Sequence, residues 1–264
     1  MTSTVLVTGG TGTLGRLVVP RLRDAGCHVR VLSRHRHEDR DGVGFMVGDL
    51  GTGEGIDGAV DGVDTIVHCA GTSKGDEDKA RNLVRAASRA GAPHLVYISV
   101  VGADRLPVTS RLDRAMFGYF ASKRAAELVV AESGLPWTTL RATQFHDLVL
   151  MVAEQMAKLP VIPVPAGVRF QPVDADDVAA RMVELSLGRP AGLVPDLAGP
   201  RVYGMGELVR SYLRATGRRR LLLPLPLPGR AARALRAGAN LAPERAVGRR
   251  TWEDFLAERV GSAR

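Results

Sequence analysis

The chain has 264 residues, 45% hydrophobic and 24% charged, the balance of an ordinary globular protein rather than a disordered or fibrous one. No apolar run is long enough to span a bilayer and the N-terminus enters a strand without a signal-type apolar region, so a cytoplasmic protein is expected. The formal net charge of +8 is uneven: residues 210–250 carry eleven arginines against one acid, Glu244, without the run of interleaved aromatics that a nucleic-acid platform uses, so a solvated basic face is expected there.

The first half alternates two patterns. Short Val/Leu/Ile runs predict strands at 5–8, 29–33, 44–47, 65–69, 95–99 and 138–141, and helical spacing predicts helices at 14–25, 77–90 and 113–132. This βαβ order implies a doubly wound, Rossmann-type α/β fold, a parallel sheet with helices on both faces. Beyond residue 141 the pattern is less regular. Helices are expected at 144–159, 175–187, 205–216 and 230–241, strands at 161–165 and 168–173, and a closing helix at 251–258 capped by Thr251. Alternate prolines in 221–228 exclude a helix or a central strand there, so an extended connector is expected, its leucines laid on the protein or lining a pocket. The expected organisation is a nucleotide-binding domain at 1–143 and a smaller α/β substrate lobe at 144–264, interleaved with it. Cys27 and Cys69 fall in apolar segments and read as buried free thiols.

Between the first strand and the first helix lies Gly9-Gly10-Thr11-Gly12-Thr13-Leu14-Gly15. A strand, a glycine-rich turn and a helix start form the setting in which this spacing binds a dinucleotide. Gly10 is expected to allow the tight turn, Gly12 to bring backbone close to a pyrophosphate, and Gly15 to let helix and strand pack closely. The helix N-terminus then faces the anion. At the end of the second strand stand Ser33 and Arg34, with no acid before Glu38. A carboxylate there would repel a 2′-phosphate, whereas Ser33 donates to it and Arg34 pairs with it, with Arg16 as a second positive charge. NADP(H) is therefore expected over NAD(H). Asp49, after the third strand, suits the adenine amino group. Small residues at Cys69-Ala70-Gly71 leave room for a ligand across the strand ends, and His68 before them reads as a packed histidine. No ligand-spaced cluster predicts a metal.

Tyr119 and Lys123 form a YxxxK pattern inside a predicted helix, which puts phenol and ammonium one turn apart on one face. The ammonium lowers the phenol pKa and reaches ribose hydroxyls; the phenol acts as general acid to a carbonyl or base to an alcohol. Ser99, ending the fifth strand, is placed to hold the same oxygen. Val101, Phe145, Met151 and the 221–228 segment are expected to line a pocket for a hydrophobic small molecule.

The ordered set TGGTGTLG (8–15), GDL (48–50), HCAG (68–71), YISVVGAD (97–104), YFASK (119–123), LRATQF (140–145) and QPVDADDVA (171–179) resembles the short-chain dehydrogenase/reductase superfamily, and within it the atypical, NmrA-like NAD(P)H-binding branch. The resemblance implies that Gly9, Gly12, Thr13, Leu14 and Gly15, with Thr11 in the same loop, hold the pyrophosphate. It implies Ser33 and Arg34 for the 2′-phosphate and Asp49 and Leu50 for the adenine. Cys69, Ala70 and Gly71 would line the ribose region, and Ala142 and Thr143 the nicotinamide side. One departure is visible: many superfamily members carry a relay Asn on the helix after the fourth strand, where this chain has Asp76, Glu77 and Asp78, and Asn82 reads as structural.

The expected activity is hydride transfer to a carbonyl, or from an alcohol, with Tyr119 as acid or base. The alternatives are quinone reduction without the phenol, an epimerase or dehydratase using tightly bound NADP, and a non-catalytic NADP(H) sensor with a partner at 210–250. A monomer or homodimer is expected.

Overall fold

The computed structural model describes residues 3–71, 75–91 and 93–261. In chain order its elements are β1 (Thr4–Thr8), α1 (Gly15–Asp24), β2 (His28–Ser33), β3 (Val43–Val47), α2 (Ile56–Val60), β4 (Thr65–His68), α3 (Asp76–Arg89), β5 (His94–Val100), α4 (Arg111–Ala131) and β6 (Trp137–Ala142). There follow α5 (His146–Met156), β7 (Val161–Pro165), β8 (Arg169–Phe170), α6 (Ala175–Leu187), β9 (Gly192–Leu193), β10 (Tyr203–Gly204), α7 (Met205–Ala215), β11 (Leu221–Leu225), α8 (Arg230–Arg236) and α9 (Trp252–Gly261). The chain divides into two compact units, each gathered from three segments: Met1–Ser99, Ala121–Arg141 and Val178–Pro195 form the first, and Val100–Phe120, Ala142–Asp177 and Asp196–Arg264 the second.

The first unit is built on a seven-stranded sheet in the order β3-β2-β1-β4-β5-β6-β9. β1 pairs in parallel with β2 through Thr4↔His28 to Thr8↔Leu32 and with β4 through Val5↔Thr65 to Thr8↔His68. The strand order therefore reverses beside β1, the topological switch point where an open α/β sheet binds ligands at its strand ends. The central strands are continuous apolar runs because both faces are covered. Leu6, Ile66, Leu83, Leu95, Tyr97 and Val130 are fully buried in one cluster on one side of the sheet. Within this unit Arg141 of β6 forks onto Glu127 of α4, Nε to Oε1 at 2.8 Å and the terminal nitrogen to Oε2 at 2.7 Å, both residues being buried.

The second unit has its own core, in which Trp252 and Phe255 of α9, Leu208 and Tyr212 of α7 and Ile162 of β7 are buried together. Trp252 Nε1 donates to the Leu208 carbonyl at 3.2 Å. The start of α9 is capped as its sequence predicts: Asp254 N donates to Thr251 Oγ1 at 3.2 Å and Thr251 N donates to the Asp254 carboxylate at 3.1 Å.

Three readings change. Residues 221–225 are a strand, β11, paired in parallel with β7 from Leu221↔Val161 to Leu225↔Pro165. A two-stranded ribbon has only edges, so it tolerates prolines that a central strand would not. The helices expected at 144–159 and 230–241 are shorter, ending at Met156 and Arg236. Cys27 and Cys69 are free but only half-buried.

Candidate active site

The glycine loop closes β1 onto α1 by backbone contact. Gly9 takes φ of +70°, and a Cβ there would lie 2.7 Å from the Ala70 nitrogen. A Cβ on Gly15 would lie 2.2 Å from the Gly9 carbonyl oxygen, so only glycine lets the helix start this close to the strand. The left-handed residue of the turn is Gly9 and not Gly10; Gly10 is needed instead because a Cβ would press to 2.7 Å on Val31 of β2. Gly12 N donates to the Gly9 carbonyl at 3.0 Å and a Cβ at Gly12 would meet nothing else among the described residues, so its outer side is open. Thr11, Gly12 and Thr13 are exposed, while Leu14 and Gly15 are buried and contribute through backbone. At the start of α1, Arg16 N donates to the Gly12 carbonyl and Leu17 N to the Leu14 carbonyl, both at 3.0 Å, so the exposed loop residues 11–13 sit directly at the helix N-terminus, the end that favours an anion. Arg16 folds back on the loop, its Nε donating to the Thr11 carbonyl at 2.6 Å.

At the end of β2, Ser33 Oγ accepts from His35 N at 3.2 Å and contacts His37 Nε2 at 3.1 Å, which holds the following loop; Arg34 is exposed. Asp49 Oδ1 accepts from Gly51 N at 2.7 Å, and Asn82 Nδ2 donates to the Leu50 carbonyl at 2.8 Å, so Asn82 braces this loop. The Leu50 side chain is committed to the core. A pyrophosphate, a ribose and a planar base therefore have a fitting bed in the first unit: a glycine cradle, an exposed cation at Arg34 and a braced loop at Asp49.

Behind the strand ends lies a buried polar cluster. Lys123 of α4 is 4% exposed; its Nζ lies 3.3 Å from Asp76 Oδ2, donates to the Ile98 carbonyl at 3.3 Å and sits 5.0 Å above the centre of the Tyr97 ring. A side chain at Gly71 would strike that ammonium, its Cβ only 2.8 Å from Nζ. Asp76 is fully buried in the first turn of α3, its N–H donating to Ser122 Oγ at 3.2 Å and its carboxylate 3.5 Å from Lys79. Burial pushes the Lys123 pKa down, and the Asp76 carboxylate works against that shift. His68 Nδ1 is bonded to Thr8 Oγ1 at 2.7 Å and its ring stacks on Tyr97 at 5.3 Å. Burial first, and the Lys123 charge second, push the His68 pKa down to about 3, so the ring is neutral: a packed histidine. Although Cys69 as a residue is only half-buried, its thiol is desolvated, which pushes its pKa up to about 12 and leaves it inert as a nucleophile at neutral pH. Ser99 is buried near the end of β5, and its Oγ has no hydrogen-bond partner among the described residues.

Asp76 is the residue that sequence reasoning missed. Read as a departure from a relay Asn, it is the buried carboxylate that holds Lys123; the signal available was an acid in the first turn of the helix after β4.

The remaining site residues lie on α4 or in the second unit. Helical geometry breaks at Phe117, so residues 118–131 form the continuous segment of α4 that carries Tyr119, 38% exposed, one turn ahead of Lys123. Ala142 bridges Leu197, and Thr143 N donates to the Leu197 carbonyl at 3.0 Å while Thr143 Oγ1 accepts from Gly199 N at 3.3 Å. Phe145 is half-buried at the start of α5 and Met151 is exposed on it. Val101 does not serve as a pocket residue: it is fully buried in a small cluster with Ala198 and Ala242. Among the described residues no group of His, Cys, Asp or Glu has the arrangement of a metal site.

A strand-turn-helix cradle at the switch point, with a buried lysine behind it, defines a dinucleotide-dependent oxidoreductase. The family described as NAD(P)H-binding matches residues 9–186, and the chain belongs to it as an atypical short-chain dehydrogenase/reductase. The (4-alkanoyl-5-oxo-2,5-dihydrofuran-3-yl)methyl phosphate reductase of Streptomyces griseus is 31% identical over 219 residues, covering 81% of this chain and 74% of that protein. The ceramide reductase of Caulobacter vibrioides is 31% identical over 245 residues, covering 85% of this chain and 74% of that protein. In fold the chain is similar to the NADPH-dependent quinone oxidoreductase QOR2 of Escherichia coli in complex with NADPH, with a TM-score of 0.80 at 20% identity over 97% of this chain and 99% of that one.

Proposed function

We propose that this chain is an NADPH-dependent reductase that delivers a hydride to a carbonyl of a hydrophobic small molecule, or takes one from the matching alcohol, with Tyr119 as the acid or base. The nicotinamide supplies the hydride when bound. The chain's own residues hold and protonate. Gly9, Thr11, Gly12, Thr13, Leu14 and Gly15 take the pyrophosphate, Ser33 and Arg34 the 2′-phosphate, Asp49 and the backbone of Leu50 the adenine. Cys69, Ala70 and Gly71 line the ribose side, and Ala142 and Thr143 the nicotinamide side. Lys123 holds ribose hydroxyls and lowers the Tyr119 pKa; Ser99 steadies the substrate oxygen; Phe145 and Met151 offer apolar surface to the substrate. The observation that carries this reading is the buried Lys123 ammonium, kept against Gly71 by Asp76, one helical turn after Tyr119. The names of the two relatives, a reductase of an alkanoyl-furan phosphate and a ceramide reductase, support a carbonyl compound with an apolar chain.

The test is NADPH oxidation against carbonyl and quinone panels, with wild type and Tyr119→Phe side by side. General acid catalysis by a side chain contributes roughly 100- to 10,000-fold, and kcat is expected to fall by that much while NADPH affinity stays within threefold. Full turnover by the variant on quinones would remove the phenol from the mechanism. Arg34→Ala is expected to weaken NADPH binding by about tenfold or more and leave NADH binding unchanged, since a charge-assisted bond to phosphate is lost.

A further inference from the structure

We propose that the β7–β11 ribbon of the second unit is a docking surface for an anionic lipid bilayer. In the parallel register Val161, Pro163 and Pro165 pair with Leu221, Leu223 and Leu225, so period-two alternation sends all six to one face, while Ile162 and Val164 are buried in the core, Leu222 packs half-buried against it, and Pro224, opposite Val164, is exposed at the edge. Leu221 is 67% exposed and Leu223 48%. Soluble surfaces scatter such leucines singly; a contiguous apolar strip of this kind marks a surface that another phase covers.

The occupant follows from the charge around the strip. Because the strands are parallel, both enter the ribbon at the same end, and four exposed cations stand there: Lys158 before β7, and Arg218, Arg219 and Arg220 before β11. None of the four forms an ion pair among the described residues. Residues 157–167 and 216–229 contain no Asp or Glu. An apolar strip beside unpaired cations matches an interface of acyl chains and anionic headgroups, each cation adding attraction that falls off within a Debye length. A second copy of the chain would bring four like charges against these four. Nucleic acid would use the cations but waste the leucines, and the two segments hold no aromatic residue on which bases could stack. The ribbon lies on the bilayer; no helix among the described residues is long and apolar enough to cross it.

The experiment is flotation of the full chain with vesicles of phosphatidylcholine alone and with phosphatidylglycerol added, at low and high salt. Three proteins are compared: wild type, Arg219→Glu/Arg220→Glu, and Leu221→Ser/Leu223→Ser. NADPH affinity and the melting temperature serve as fold controls, since all four positions are exposed. Wild type is expected on the anionic vesicles only, released by salt. The arginine variant is expected to partition at least ~25-fold more weakly, from about fivefold for each cation lost. The leucine variant, with its charge unchanged, is expected to lose about tenfold from the apolar contact alone. The proposal fails if wild type does not float with anionic vesicles. It fails equally if the leucine variant binds like wild type, which would mean adsorption of a basic protein only, or if the strip instead mediates a dimer that the leucine substitutions dissolve.

Discussion

Helix α4 carries two buried ionic contacts one turn apart, and they differ in kind. Glu127 receives the Arg141 guanidinium through a fork of 2.8 and 2.7 Å, joined by Arg124 at 3.0 Å. Lys123 meets Asp76 by a single contact of 3.3 Å and shares the same ammonium with a backbone carbonyl and the face of Tyr97. The fork uses both carboxylate oxygens in fixed planar geometry, which is what a guanidinium does best. The ammonium is a point charge with rotatable donors, held loosely and faced by a glycine rather than a side chain. Glu127–Arg141 therefore reads as scaffolding between α4 and β6, while under the proposed function Lys123–Asp76 is the charge that meets the cofactor.

The largest expected effect breaks the fork. Glu127→Ala removes both carboxylate bonds from a guanidinium that is 5% exposed. Breaking one side of a buried pair costs about 3–5 kcal/mol, so the melting temperature should fall steeply while the folded fraction keeps its NADPH affinity. A calorimetric scan with a cofactor titration separates the two. Loss of affinity in the folded fraction would erase the distinction between the contacts.

Lys123→Met should do the reverse. Asp76 keeps Lys79 at 3.5 Å and the favourable start of α3, so the buried carboxylate is not abandoned and the stability cost should stay below about 2 kcal/mol. kcat/KM for NADPH-dependent turnover should drop by about 100-fold, which corresponds to about 2.7 kcal/mol. A variant that melts far lower and turns over normally would make Lys123 the scaffold.

Local signals made half of this legible in the sequence. The glycine loop, the six central strands and the YxxxK helix are written in contiguous residues whose spacing alone fixes their geometry. The Lys123–Asp76 contact joins positions 47 residues apart, and the β7–β11 ribbon joins 161–165 to 221–225; neither pairing leaves a mark in its own neighbourhood. Alternate prolines correctly excluded a central strand at 221–228, but an edge-only ribbon satisfies the same constraint. Gly10 shows the reverse limit. Its need for a missing Cβ is set by Val31 across the sheet, whereas the turn itself is made at Gly9.

Acid sharpens the comparison, because His68 shares the Lys123 cluster and not the fork. Its folded pKa of about 3 lies below the 6.5 of a free histidine. Between those values the unfolded chain binds the proton and the folded chain does not, so stability is fully present above pH 6.5 and falls as pH drops through the window. From pH 6.5 to 5 the loss from this one residue is about 2 kcal/mol. Denaturant midpoints across that range should show it in wild type and show a shallower slope in His68→Asn. Equal slopes would mean that the ring accepts its proton without unfolding.

Asp76→Asn is the smallest change and the most specific. The amide keeps the volume, the first-turn position and an acceptor oxygen for Lys123, so the fold should lose less than in the fork variant, about 1–3 kcal/mol. What it removes is the charge that opposes desolvation of Lys123. The ammonium pKa should then fall further, and the alkaline limb of the NADPH affinity profile should move to lower pH. At neutral pH, kcat/KM should drop by about tenfold, or about 1.4 kcal/mol. A purely structural Asp76 would lower stability without moving the limb, and Asp76→Glu, which keeps the charge, should restore the limb even where packing suffers. A limb that stays in place in Asp76→Asn would place the titration elsewhere and leave the two contacts of α4 alike.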